Sequence, residues 1–217
     1  MKMRLVCGIG VNDSDYRVQE FITLGYENGK QKRKCVWICP FYRKWKSMLT
    51  RCYCEKFLER SPTYKGCSVC EEWLTFSKFK GWMEQQDWEG KDLDKDLLRL
   101  GNKIYSPETC VFVDAKVNSF INENNASRGN YMIGVFWHKR DRKFVAKCGG
   151  VDGKRKNLGY FDTELEAHRA WLKHKLRVAH KLASEQTDPR VAKALIEKYE
   201  NYYTTERNVG GLNNVYN

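Results

Sequence analysis

Apolar side chains recur at two different periods along this chain. Tyr42, Trp45, Met48, Leu49, Cys52 and Tyr53 fall at three- and four-residue spacing, which places them on one face of a helix. Pro40 stands just ahead of them, where helix starts accept it. Trp73, Phe76, Phe79, Lys80 and Met83 predict a second helix. The period then shortens. Residues 92–98 alternate polar and apolar and predict a strand, 101–107 carry loop chemistry, and 110–113 predict a second short strand. Asp114 is placed to cap a helix that carries Val117, Asn118 and Ile121.

Residues 122–130 cluster Asn, Ser and Gly with no apolar period, which is linker chemistry, and the boundary is expected near residue 127. Beyond it, residues 132–137, 143–148 and 155–161 predict three short strands joined by turns at Arg140-Asp141 and Asp152-Gly153. Thr163 and Glu166 form a capping box before a helix running to about residue 183. One helix can cover only one face of a three-stranded sheet, so the other face is left bare. Residues 5–11 are a short apolar run, a strand or a docking arm, and residues 30–34 are a charged stretch. The organisation read from these patterns is an arm over 1–34, a compact unit over 35–126, a second unit over 127–182, and a helix with a polar tail over 183–217. The fold class is α+β.

Composition narrows the partner. Seven Trp, twelve Tyr and ten Phe can build real cores, and 39 Lys and Arg against 27 Asp and Glu leave a net charge of +12. An excess of that size favours a polyanion. No apolar run reaches the ~18–20 residues of a membrane span, and the first residues lack a secretory core. Nine cysteines, an odd number, point to reduced thiols in a cytosol-like compartment rather than a disulfide framework. Nothing indicates a small-molecule substrate, and the sequence leaves the oligomeric state open.

The charge is concentrated. Residues 128–181 hold fourteen Lys and Arg against five Asp and Glu, an excess of nine. The strands and turns carry Arg140, Arg142, Lys143, Lys147, Lys154 and Arg155, with the aromatics Phe136 and Trp137 and the amide Asn157 among them. Cationic tips suit phosphates and base edges, planar groups pack on sugars or thymine methyls, and a sheet can enter the major groove of double-stranded DNA. The same composition also describes a solvated charged hairpin. Ile133-Gly-Val135, Lys143-Phe-Val-Ala-Lys147 and the run from Gly153 through Leu158-Gly-Tyr-Phe161 to Ala167 resemble the plant ERF (AP-two) domain, over about fifty residues. The resemblance implies a three-stranded antiparallel sheet that lies in the major groove with one packing helix behind it. Arg155 matches a contacting Arg of that family. Asn157 stands where a contacting Trp is usual and Phe136 where an Arg is usual, so the family's target sequence does not transfer.

Strand, loop, strand and helix over residues 92–121 resemble the ββα-metal finger of HNH nucleases. Cys39-Pro-Phe-Tyr, Trp45 to Tyr53, Leu93-Asp-Lys-Asp, Gly101-Asn-Lys and Tyr105 to Val113 ending in Asn118 resemble phage HNH-like homing endonucleases. That likeness implies a helical, ββα-metal unit at the N-terminal side, hydrolysis of phosphodiesters in double-stranded DNA, a divalent cation such as Mg²⁺, and work in the cytoplasm of an infected bacterial cell. It assigns Asp94 and Asn118 as metal ligands and Asn102 as organiser of the loop. The metal stabilises the leaving oxygen and a base activates water. The family's base is histidine, and all four histidines (His138, His168, His174, His180) lie in the second unit. Lys95 or Asp96 must then accept the proton, Lys95 only if its pKa falls. Three readings stay open: an active nuclease with unusual base chemistry, a descendant that binds DNA without cutting, and plain surface charges on a hairpin. Cys67 and Cys70 form a CxxC pair that Cys39, Cys52, Cys54 or Cys110 could complete as a structural Zn²⁺ site. Buried free thiols filling a small core are the alternative.

Overall fold

Asn28-Gly29 is a strong hairpin signal, and both residues adopt positive φ (49° and 73°), as the tight two-residue turn requires. In the computed structural model this turn joins two nine-residue antiparallel strands, β1 (Gln19–Glu27) and β2 (Lys30–Ile38). The hairpin runs through residue 34, where the sequence pattern ends an N-terminal arm. The structure describes residues 5–121, 131–149 and 155–212, with the side chains of all of these but 155 and 203–212. The expected linker at 122–130 and the Asp152-Gly153 turn lie outside the described residues. The chain divides into two units, Met1–Phe112 and Val113–Asn217.

In the first unit the predicted helical stripe is α1 (Pro40–Tyr53), which buries Tyr42, Trp45, Met48, Leu49 and Cys52. A short α2 (Glu55–Arg60) follows, then β3 (Ser68–Val69). Trp73 sits in a 3-10 turn before α3 (Phe76–Met83), whose Phe76, Phe79 and Met83 are buried. The core is aromatic: the Trp45 indole N–H donates to the Trp73 carbonyl at 2.7 Å, so the one polar atom of a fully buried ring is satisfied. Val6 and Cys7, from the predicted apolar run, pack against this core. Gly10 leaves no room for a side chain; a Cβ there would lie 2.3 Å from Leu49 Cδ1.

The strand expected over 92–98 stops at Asp94. β4 (Asp92–Asp94) ends where the Asp94 carboxylate accepts the N–H groups of Asp96 and Leu97, at 2.8 and 2.7 Å. That local bond turns the chain out of the strand. Part of the expected loop is β5 (Ile104–Tyr105), parallel to β3, and β4 pairs with β6 (Val111–Val113).

The second unit opens with α4 (Ala115–Ile121), whose first turn is capped by Asp114 Oδ1 accepting from Val117 N at 2.8 Å. Contacts group α4 with this unit, whereas the sequence boundary lay near 127. Its last carbonyls explain the grouping. Phe120 O accepts from buried Lys175 (2.9 Å) and from Tyr199 Oη (3.2 Å), and Ile121 O from Lys198 (2.7 Å). Carbonyls at a helix end have no partner within the helix and need such donors. The sheet is β7 (Val135–His138), β8 (Lys143–Gly149) and β9 (Arg155–Phe161) in that order, antiparallel throughout. Thr163 and Glu166 make the expected capping box of α5 (Glu164–Ser184), and α6 (Pro189–Leu212) follows. No helix among the described residues is long and apolar enough to cross a membrane.

Gly134 has φ of 80°, and a Cβ would fall 2.1 Å from Trp171 Cδ1. Gly134→Ala therefore both strains the backbone and drives apart the sheet and α5. Overpacking of this kind costs about 1–3 kcal/mol, and chemical denaturation should show the loss with the residues of the sheet's other face untouched.

Candidate nucleic-acid interface and metal centre

Residues paired across an antiparallel sheet share a face, and neighbours along a strand alternate. The register pairs Val135 with Ala146 and Ala146 with Gly159, and these lie on one face; Phe136 pairs with Val145, Val145 with Tyr160, and Lys147 with Asn157 on the other. Val135, Ala146 and Cys148 are buried, and α5 presents Ala167, Trp171 and Leu172 as its buried side. Phe136, Lys147, Asn157 and Tyr160 are exposed. The Lys147 ammonium lies 5.8 Å from the Phe136 ring centroid, and His138 stands edge-on to Tyr160 at 5.5 Å. The open face is thus a strip of aromatic rings with cations beside them, the arrangement that meets sugars, phosphates and base edges.

Sequence reasoning assigned Trp137 to this face. Alternation puts it on the other, paired with Phe144 at a ring-centroid distance of 4.8 Å. Tyr160 and His138 were missed; counting two residues from Phe136, and reading across from Val145, would have found both. Arg140 and Arg142 sit exposed in the β7–β8 turn, with Arg140 Nε on Asp141 Oδ1 at 2.9 Å and Arg142 at φ of 50°. Lys143 is half-buried and engaged with Asp162. Lys154 lies outside the described residues, and Arg155 opens β9.

In the first unit the candidate finger residues form one bonded cluster. The Lys95 side chain is buried, and its ammonium donates to both Asp96 carboxylate oxygens (2.6 and 2.7 Å) and to Asn102 O (3.0 Å). Asn102 Nδ2 donates to the carbonyls of Lys95 (2.8 Å) and Ile104 (2.7 Å), and its Oδ1 accepts from Ile104 N (3.2 Å). Asn102 therefore ties the loop between β4 and β5. Lys95 has given its three protons to acceptors and offers no lone pair, so as it stands it is not a base. Asp94 Oδ1 is held by the two turn N–H groups, while Oδ2 takes no hydrogen bond among the described residues. Burial raises the Asp94 carboxyl above its ordinary value, against the lowering pull of those N–H groups. A free carboxylate oxygen and a desolvated charge suit one ligand position of a divalent cation. Asn118 lies on α4, in the other unit, with its N–H on Asp114 O at 2.9 Å.

The thiols behave as core. Cys39, Cys52, Cys67 and Cys110 are buried and Cys70 is half-buried. Burial pushes the thiols of Cys52 and Cys110 up to about 12, which opposes the thiolate form that zinc needs. No group of three or more His, Cys, Asp or Glu able to hold a metal gathers among the described residues.

Asp94→Asn keeps an oxygen for the turn N–H groups and removes the half-buried charge. A carboxyl raised in the folded state stabilises the fold below its unfolded value, 3.8, and that contribution is lost as pH rises through the folded value. In metal-free denaturant titrations, wild type should lose stability relative to Asp94→Asn as pH climbs above 3.8; parallel curves contradict the assignment.

Comparisons of the chain with protein-family models, with curated proteins and with solved structures find no match.

Proposed function

We propose that this protein binds double-stranded DNA through the open face of β7, β8 and β9, as the resemblance to the ERF (AP-two) domain implies. The observation that carries the reading is the contrast between the two faces. One packs Val135, Ala146 and Cys148 under α5, and the other exposes Phe136, Tyr160, Lys147 and Asn157 with a turn of exposed cations at its end. A residue pattern selected only for solubility would not keep two large aromatic rings in water beside that turn. The net charge of +12 makes the association dependent on counterion release and hence on salt.

We further propose that the first unit makes the protein an HNH-like endonuclease. Asp94 would supply one ligand of a Mg²⁺ ion, which supplies positive charge to the leaving oxygen when bound. Asn102 keeps the β4–β5 loop in shape, and the Lys95–Asp96 pair stands directly after the ligand. Asp96, which is exposed, is the proton acceptor this reading requires. It must let go of the Lys95 ammonium to serve. A second reading is favoured by that same ion pair: a binding-only descendant, in which Lys95, Asp96 and Asn102 brace the loop and DNA is bound but not cut.

Two measurements separate these readings. Phe136→Ala combined with Tyr160→Ala should weaken duplex binding at least tenfold in an anisotropy titration, since contacts of this class are worth ~1–3 kcal/mol each. Trp137→Ala should leave affinity within about twofold, because only large effects of burial or contact exceed ±0.5 kcal/mol at other sites. Equal losses from both would overturn the face assignment. Incubation of plasmid and phage DNA with Mg²⁺ should give nicks or breaks that disappear with EDTA and in Asp94→Ala. Tight binding without cutting in any divalent metal decides for the binding-only reading.

A further inference from the structure

The β1–β2 hairpin is unlike the rest of the first unit. Its strands pair only with each other among the described residues, and nearly every side chain on both is exposed. An isolated two-stranded ribbon is marginal by itself, and this one presents Phe21, Ile22, Leu24, Tyr26, Val36 and Trp37 to water, Tyr26 at 76% and Leu24 at 55%. Such a surface is unexplained by the packing of the unit it belongs to.

Its charge identifies the occupant. Lys30, Lys32, Arg33 and Lys34 lie within five residues of β2, and of their partners across the ribbon only Glu27, opposite Lys30, is acidic. Glu27 is spanned by Lys32 at 3.3 Å, with both side chains mostly in solvent, so that pairing is weak. Lys30, Lys32 and Lys34 alternate along the strand and share one face, roughly 6–7 Å apart at the ordinary strand rise. Arg33 is on the other face, its guanidinium 5.3 Å from the Phe21 ring centroid. A ribbon of nine-residue strands is about 30 Å long, and a two-stranded ribbon fits a B-form major groove about 12 Å wide. The deep, narrow groove of duplex RNA does not admit it. A second copy of this chain is the poorer fit. Stacking the lysine faces, or pairing the outer edges of β2, sets one row of cations against another.

We infer that the β1–β2 hairpin is a second DNA-contacting element, with Lys30, Lys32, Arg33 and Lys34 on phosphates and the interleaved aromatic rings against sugars or base edges. This rests on the reading of the protein as a binder of double-stranded DNA, but it uses a different unit and different residues from the three-stranded sheet.

The test uses the full chain in three forms: wild type, the combined Lys30→Ala, Lys32→Ala, Arg33→Ala and Lys34→Ala variant, and Lys147→Ala. All five side chains are exposed, and thermal denaturation checks that each variant folds. Binding to duplex DNA is measured from low to high salt, with hydroxyl-radical footprinting and duplex RNA as a competitor. The hairpin variant should flatten the log K against log salt slope by about 2–4, at ~0.9 per phosphate lost, and remove one stretch of the footprint while the remainder persists. An unchanged slope and footprint overturn the hairpin assignment alone. Loss in the hairpin variant with none in Lys147→Ala leaves the hairpin standing and removes the sheet. Wild type that does not bind duplex DNA removes both. Equal competition by duplex RNA, or a dimer-to-monomer change in sedimentation of the hairpin variant, overturns the proposal in favour of RNA or of a second copy.

Discussion

A three-stranded sheet served by one long helix can hide only one of its faces, and that constraint governs the second unit. α5 takes the face of Val135, Ala146 and Cys148, with Gly134 bare because Trp171 occupies the space where its Cβ would be. The small residues Ala146 and Gly159 sit at paired positions on the covered face, which lets the helix approach closely. The alternate positions face away from α5, and apart from buried Val145 their aromatic and basic side chains are open to solvent or a ligand. Phe136 and Tyr160 flank buried Val145 across the three strands, so the middle of the open face is apolar while its margins carry Lys147 and the turn cations. α6 and α4 complete the unit from the helix side. Lys175, buried between their aromatic rings, lies 4.2 Å from the Phe120 ring centroid and donates to the Phe120 carbonyl of α4. A buried ammonium that meets a carbonyl, a phenol and ring faces is a structural group.

The first unit is organised around Trp45 and Trp73, joined by an indole–carbonyl bond, with the rings of Phe76, Phe79 and Trp82 closing the cluster. β4 is short because its last residue spends its carboxylate on the following turn. The consequence reaches function. A turn-capping Asp94 keeps one oxygen free, whereas Lys95, one residue on, points into the core and is consumed by Asp96 and Asn102. Two adjacent residues that the sequence offers as ligand and base thus have different fates: one is compatible with a metal, and the other is bound up in the loop it braces.

The helices and the three-stranded sheet were legible because their periods are long and their signals redundant. The α1 stripe, the Asp114 cap, and the Thr163 and Glu166 capping box each give position as well as type. The hairpin was overlooked although Asn28-Gly29 is present, because its strands do not alternate cleanly: both faces are exposed, and two register shifts, at Glu20/Phe21 and Thr23/Gly25, break the period. β5 was hidden in a loop for another reason, since a two-residue parallel pairing leaves no periodic trace. On the candidate interface, composition found the basic aromatic segment but not which face each residue takes. The register puts Tyr160 on the open face and Trp137 on the face toward α5. The bonded state of Lys95 depends on Asn102 folding back over seven residues, which spacing alone does not reveal.

Mass spectrometry of lysine acetylation, with and without duplex DNA, reads the occupied face directly in the intact chain. Lys147 projects from the open face, while Lys173 and Lys181 are exposed on α5 behind the sheet, and they act as internal references. The account predicts that DNA at low salt protects Lys147 strongly, that high salt restores its reactivity, and that Lys173 and Lys181 react alike throughout. Protection of Lys173 and Lys181 with Lys147 left reactive would contradict it, because DNA would then lie against the helix and not on the sheet.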